Sequence, residues 1–233
     1  MVPLGAKSVH LNNNLILVPT RGRPHNAIEV LKCHKEFSCR SDLLFIVDTD
    51  DDELINYRSA VGIENIIEIE NKTRGMAYPV NVAAKKYANE YNYFTFIGDD
   101  HRLRTPDWDI ALMRAIGNRP GLSYGNDLLQ GENLPTAVMM SGAIVRALGG
   151  MVPPKLKHLY LDNFWKALGN DLGNLAYLPG VIIEHLHPVA GKAEWDEGYR
   201  AVNAHEVYSF DALMFDNYMK SEDYQVLLKA LRQ

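Results

Sequence analysis

The stretch Tyr93-Phe94-Thr95-Phe96-Ile97-Gly98-Asp99-Asp100-His101 decides how the rest of the chain is read. Its bulky, aromatic first part predicts a buried strand, and Gly98 ends it. The strand therefore delivers two adjacent carboxylates at its carboxyl end. Neighbouring carboxylates are costly unless solvent, a cation or hydrogen-bond donors balance them. With open coordination positions, such a pair suits a hard ion such as Mg2+ or Mn2+, completed by diphosphate oxygens and water. An acidic turn facing water accounts for the same residues, so the segment alone leaves both open.

Upstream, short apolar runs alternate with helical segments. Leu15-Ile16-Leu17-Val18 is an apolar run that Pro19 ends, and Leu43-Leu44-Phe45-Ile46-Val47 is a second. Residues 66–69 form a third strand. Helices are expected from Pro24 to about Cys33, across 52–60, and across 77–91 with Pro79 near the start. Strands separated by helices imply parallel pairing with right-handed crossovers, and ligands of such sheets sit outside the carboxyl ends of the strands. Three polar loops should meet there: residues 20–23, 48–52 and 99–102.

The second half is less regular. Strands are expected at 136–140 and 181–183, a short helix at 162–168, and a Gly- and Pro-rich loop at 149–157. A polar segment with Lys192 and Trp195 precedes a helical tail over 204–231. No repeat or linker divides the 233 residues, so one domain is expected: a half at about 1–105, a smaller mixed half at about 106–190, then the loop and tail.

Composition narrows the function classes. The net charge is −5 with 23% charged residues, which argues against a phosphate-gripping DNA binder while leaving room for a local basic cleft. The opening residues lack a signal-peptide pattern, and no apolar run nears the roughly 18 residues a membrane span needs. Cys33 and Cys39 make no zinc pattern. A reduced, cytoplasmic protein with no membrane partner is the expectation.

Several residues could carry chemistry, each with a plainer alternative. Arg21 and Arg23 flank Gly22 beside a helix start, where guanidinium groups engage a diphosphate or simply face water. Asp48 follows a strand directly and could accept hydrogen bonds from a base or ribose; the acidic run to Asp52 also suits helix capping. His185 and His187, at spacing two after an apolar run, point to one side of a strand and could complete a metal site begun by Asp100, or serve structure alone. Lys192 and Trp195 fall in a segment that could close over a ligand.

Taken in order, these motifs resemble the GT-A fold glycosyltransferases, particularly the large family 2 type, from Leu15 to Pro188. The matching residues are Val18-Pro19-Thr20-Arg21-Gly22-Arg23-Pro24, Val47-Asp48, Asn71-Lys72-Thr73-Arg74-Gly75 with Asn81, Gly98-Asp99-Asp100, and Pro106-Asp107-Trp108. Ser141-Gly142, Gly149-Gly150 and Leu161-Asp162 continue the match. The resemblance implies an α/β fold with a Rossmann-like, mostly parallel sheet flanked by helices. It implies a nucleotide-sugar donor, UDP-sugar favoured, held by Pro19, Thr20, Arg21, Arg23, Asp48, Arg74, Asn81, Asp99 and Lys192. It implies Mn2+ or Mg2+ held by Asp100 with His185 or His187, and Asp162 as general base of an inverting transfer. Gly98 stands where such enzymes carry the first aspartate of Asp-X-Asp, and Leu161 replaces the usual Glu. Compact members of this kind resemble bacteriophage-encoded enzymes, whose acceptors include modified DNA bases and virion proteins; a glycan acceptor is equally open. Two alternatives accompany this reading: a nucleotidyltransferase of related fold, and a non-catalytic nucleotide-sugar or glycan-binding module.

Overall fold

The computed structural model describes residues 13–73, 75–192 and 205–233; Arg74 and Trp195 lie outside them. The amino-terminal half runs β1 (Asn14–Thr20), α1 (Pro24–Phe37), β2 (Ser41–Asp48), α2 (Leu54–Val61), β3 (Ile66–Ile69), α3 (Ala77–Tyr87) and β4 (Tyr93–Phe96). β1 pairs in parallel with β2 and β4, and β2 with β3, as strand–helix alternation requires. Pro19 lies inside β1 rather than ending it. Ile97 N–H bonds the Leu17 carbonyl, and the β1–β4 register stops at Leu17 opposite Phe96. Two residues on, Pro19 presents its missing N–H to that side where no partner strand remains, so the ladder loses nothing.

The second half contributes β5 (His101–Leu103), α4 (Trp108–Ile116), β6 (Leu122–Asn126), β7 (Val138–Ser141), α5 (Gly142–Leu148), α6 (Leu161–Leu172), β8 (Leu175–His185), α7 (His205–Met219) and α8 (Glu222–Leu231). One eight-stranded sheet results, in the order β3-β2-β1-β4-β7-β6-β8-β5. β7 is antiparallel to both β4 and β6, and β5 is antiparallel to β8, so the sheet is parallel in its first half and mixed beyond it.

Alternation along the central strands builds two cores. Leu15 and Leu17, with Leu44 and Ile46, face α3, α5, α6 and α8 through Val80, Val145, Phe164 and Leu227. Ile16 and Val18, with Phe45 and Val47, face α1, α2 and α4 through Val30, Tyr57 and Trp108. A period of two in strands sandwiched by helices on both faces produces this three-layer arrangement. Among the described residues no helix is long and apolar enough to cross a membrane.

The carboxy-terminal helices belong to this body. Asp211 of α7 is fully buried, and its carboxylate accepts the consecutive N–H groups of Lys157, His158 and Leu159 at 2.7–2.9 Å. Those donors lie in the loop that leads into α6, and three converging amides make a nest for one anion. Asp211→Ala strands them inside the protein and is expected to lower stability by about 3 kcal/mol, measured by denaturant unfolding.

Candidate functional site

The carboxyl ends of β1, β2 and β4 come together through side-chain contacts. Thr20 Oγ1 donates to Asp99 Oδ2 at 2.7 Å, and Arg23 Nη1 lies 3.3 Å from Asp99 Oδ1. The buried Tyr57 hydroxyl sits 2.8 Å from Thr20 Oγ1 and accepts the Arg23 N–H at 2.7 Å. Asp51 joins the loops from below: Gly22 N–H donates to its carboxylate at 2.9 Å. Burial and the neighbouring Asp100 charge push the Asp99 carboxyl up to about 6, although Arg23 and Thr20 pull the other way.

Asp100 is the hub of the site. Its Oδ1 lies 3.1 Å from His101 Nδ1, and its Oδ2 lies 3.3 Å from His185 Nε2. Register explains why these histidines meet. His101 of β5 is the direct cross-strand partner of His185 at the end of β8, so both rings emerge on one side. They stack with centroids 4.2 Å apart and planes 17° from parallel. The Leu186 N–H donates to the Asp100 carbonyl at 2.9 Å and pins β8 to the loop. One ligand atom from each of Asp100, His101 and His185 falls within 4.8 Å of the others, a set able to hold a metal ion.

Burial alone would raise the Asp100 carboxyl, but its bonds with His101 and His185 together outweigh that and hold it well below the usual carboxylate range. Burial, reinforced by the charge of His185, lowers His101. His101 Nδ1 also receives the Gly98 N–H at 3.1 Å. One ring nitrogen cannot accept from Gly98 and donate to Asp100 together. In the tautomer that accepts, its lone pair faces a carboxylate oxygen.

Gly98 is explained by the same geometry. A Cβ on Gly98 would sit 2.5 Å from Asp100 Oδ1 and 3.1 Å from His101 Nδ1. The position that would carry the first aspartate of Asp-X-Asp is instead kept bare so that the carboxylate and ring can fold back over it.

Asp162 stands in the first turn of α6, entered through Tyr160 with φ of 62° in the left-handed region. Burial raises its carboxyl; the Asn163 N–H at 2.9 Å and the charge of His185, near enough to act on it, offset this in part. Leu161, by contrast, points into the core. Asp127, after β6, places Oδ2 4.0 Å from His185 Nδ1.

Other expected residues hold different partners. Arg21 is clasped between Asp48 at 2.8 Å and Asp50 at 2.6 Å. Asn81 accepts the N–H groups of Met151 and Val152 and donates to the Val152 carbonyl, tying α3 to the 149–157 loop. Lys192 pairs with Glu184 at 2.8 Å. His187 stands beside His185, ring centroids 5.1 Å apart, and its Nδ1 caps the turn at Val189; the metal-capable cluster takes His101 in its place. His101 and Asp127 were missed in the sequence. His101 had the signal of directly following Asp100, whereas Asp127 follows a strand that no pattern announced.

No protein-family model and no curated protein matches the sequence. Solved structures do. A mannosyltransferase, PcManGT from Pyrobaculum calidifontis in complex with GDP-Man and Mn2+, superposes with a TM-score of 0.62 at 12% identity, over 98% of this chain and 73% of that one. S. aureus TarS 1–349 in complex with UDP-GlcNAc gives 0.60 at 15% identity, over 94% and 71%. A longer S. aureus TarS structure gives 0.59 at 15% identity; this chain covers 43% of it. At such identities the likeness is one of fold: the mixed α/β sheet flanked by helices is a GT-A fold.

Proposed function

We propose that the chain is a metal-dependent glycosyltransferase that moves a sugar from a nucleoside-diphosphate sugar to an acceptor. The observation that carries this reading is the Asp100–His101–His185 cluster at the carboxyl ends of the parallel strands. The donor set fits a divalent cation: one carboxylate and two imidazoles lie within reach of a single point. Two imidazoles favour Mn2+ over Mg2+, which prefers oxygen ligands. When bound, the ion offsets negative charge on the leaving diphosphate.

The chain's own residues supply the rest. Thr20, Arg23 and Asp99 would face the diphosphate, and Asp48, the last residue of β2, would accept hydrogen bonds from the nucleoside. Arg21, already neutralised by Asp48 and Asp50, acts by shaping that acidic loop. Asp162 takes the acceptor's proton during in-line attack, which inverts the anomeric centre.

The test is a screen of UDP-, GDP- and dTDP-sugars with the full chain, with and without Mn2+. At least one donor should raise the melting temperature in an Mn2+-dependent way and release nucleoside diphosphate. Binding without release under any acceptor condition would mark a binding module instead, and absence of binding to every donor would sink the donor assignment. Acceptors of three classes (modified DNA base, virion protein, glycan) are then separated by mass spectrometry of the products.

A further inference from the structure

We infer that Asp127 is a positioning residue for His185, taking up the imidazole proton on Nδ1 when a cation displaces it from Nε2. The inference rests on the cation reading above. His185 lies between two carboxylates: Nε2 is 3.3 Å from Asp100 Oδ2, and Nδ1 is 4.0 Å from Asp127 Oδ2. Nδ1 is buried and has no hydrogen-bond partner, although a buried imidazole nitrogen normally finds one. A ligating histidine carries its proton on the nitrogen away from the ion and gives it to a carboxylate or carbonyl. Asp127 is the carboxylate on that side, and such contacts shorten when the site is loaded.

The rest of Asp127 is built to keep that carboxylate still. Its Oδ1 accepts the N–H groups of Leu129, Gln130 and Gly131 at 2.7–3.0 Å, and its Oδ2 accepts the Thr136 hydroxyl at 2.7 Å. Wrapping three amides around one oxygen requires Leu128 to adopt φ of 58°, a left-handed conformation costly for a bulky side chain. The backbones are joined too: the His185 N–H donates to the Asp127 carbonyl at 2.9 Å. Asp127 is 3% exposed, so water does not substitute freely for it.

Asp127→Asn tests the assignment with little disturbance. The amide oxygen still accepts the three loop N–H groups, and the Thr136 hydroxyl can turn to accept from the new NH2. That NH2 meets Nδ1 as a donor and keeps the ring proton on Nε2, the atom needed for the ion. With Mn2+ alone as probe, the variant should bind about 10- to 100-fold more weakly, read by the paramagnetic resonance of free Mn2+. In the wild type loaded with a diamagnetic divalent cation, nitrogen NMR should place the His185 proton on Nδ1, and a proton that stays on Nε2 overturns the inference. In a His185→Ala background the same substitution should change Mn2+ affinity less than about threefold.

An Asp127→Asn variant with wild-type Mn2+ affinity overturns the inference, as does a loss of equal size in the His185→Ala background, since that is structural damage. Thr136→Val covers the case in which Asp127→Asn fails to fold. It frees Oδ2 for His185 and should leave Mn2+ binding equal or tighter; a tenfold loss overturns the inference. Wild-type Mn2+ binding without sugar transfer would sink the proposed reaction and leave the Asp127 assignment intact, whereas a wild type blind to Mn2+ would sink both.

Discussion

Asp100→Ala should reduce Mn2+-dependent sugar transfer by about a thousandfold or more, the largest loss expected of any single substitution in this chain. Asp100 is shared by both histidines of the cluster, at 3.1 Å and 3.3 Å, so its removal takes away the anion on which the whole arrangement closes. Stabilising the charge that grows on a leaving diphosphate contributes several kcal/mol at the transition state, and about 4 kcal/mol corresponds to three decades in rate. The effect should fall on turnover as well as donor affinity, because that charge is fully present only as the bond breaks. Asp99→Asn provides the contrast. Burial and its neighbour raise the Asp99 carboxyl to about 6, and it faces Thr20 and Arg23 instead of the histidines. Its amide variant should lose far less. Initial rates with saturating Mn2+, together with Mn2+ affinity for each variant, decide the matter. Asp100→Ala turnover within tenfold of wild type would end the cation proposal.

The site's two halves differ in how far they can be read from residues alone, and the difference is physical. β1, β2 and β4 are buried on both faces, so they print continuous apolar runs, and their polar ends mark the site: Thr20, Asp48, Asp99 and Asp100 are all where strand–loop grammar puts them. The meeting of Asp100 with His185 was expected too, from chemistry more than from pattern. In the mixed half the strands at 136–140 and 181–183 and the helix at 162–168 could be read, and what stayed hidden was β5, β6 and the first part of β8. β8 contains Pro179 and Gly180, and its register against β6 jumps between Gly125 and Asn126, so no clean alternation survives. β5 is too short to show any period. The partnership of His101 with His185 follows from pairing of those two strands, a contact across much of the chain that local sequence does not encode. Asn81 matches a motif position, and its amide oxygen accepts the N–H groups of Met151 and Val152, contacts distant in sequence that no local pattern encodes.

Asp162→Asn is expected to lower turnover by about 10²- to 10⁴-fold while leaving Mn2+ affinity and donor-induced thermal stabilisation unchanged. In the proposed reaction its part is proton removal and not ion binding. It opens α6 beyond the left-handed Tyr160, outside the Asp100–His101–His185 group, yet close enough to feel the His185 charge. Its carboxyl is raised by burial, against the pull of the Asn163 N–H and of His185. A raised carboxyl is a better base than an ordinary aspartate, and the active form is the deprotonated one. As pH falls through its pKa, Asp162 is protonated and the rate drops, so the acid limb of the kcat profile should lie above the ordinary aspartate value of 3.8. The amide has no such titration, and its residual activity should be flat across that range. A variant that keeps the acid limb would assign it to another group, with Asp99 the nearest candidate because its carboxyl reaches about 6. A variant that keeps wild-type turnover would remove Asp162 from the chemistry altogether, leaving the acceptor's proton to be taken by a group outside α6.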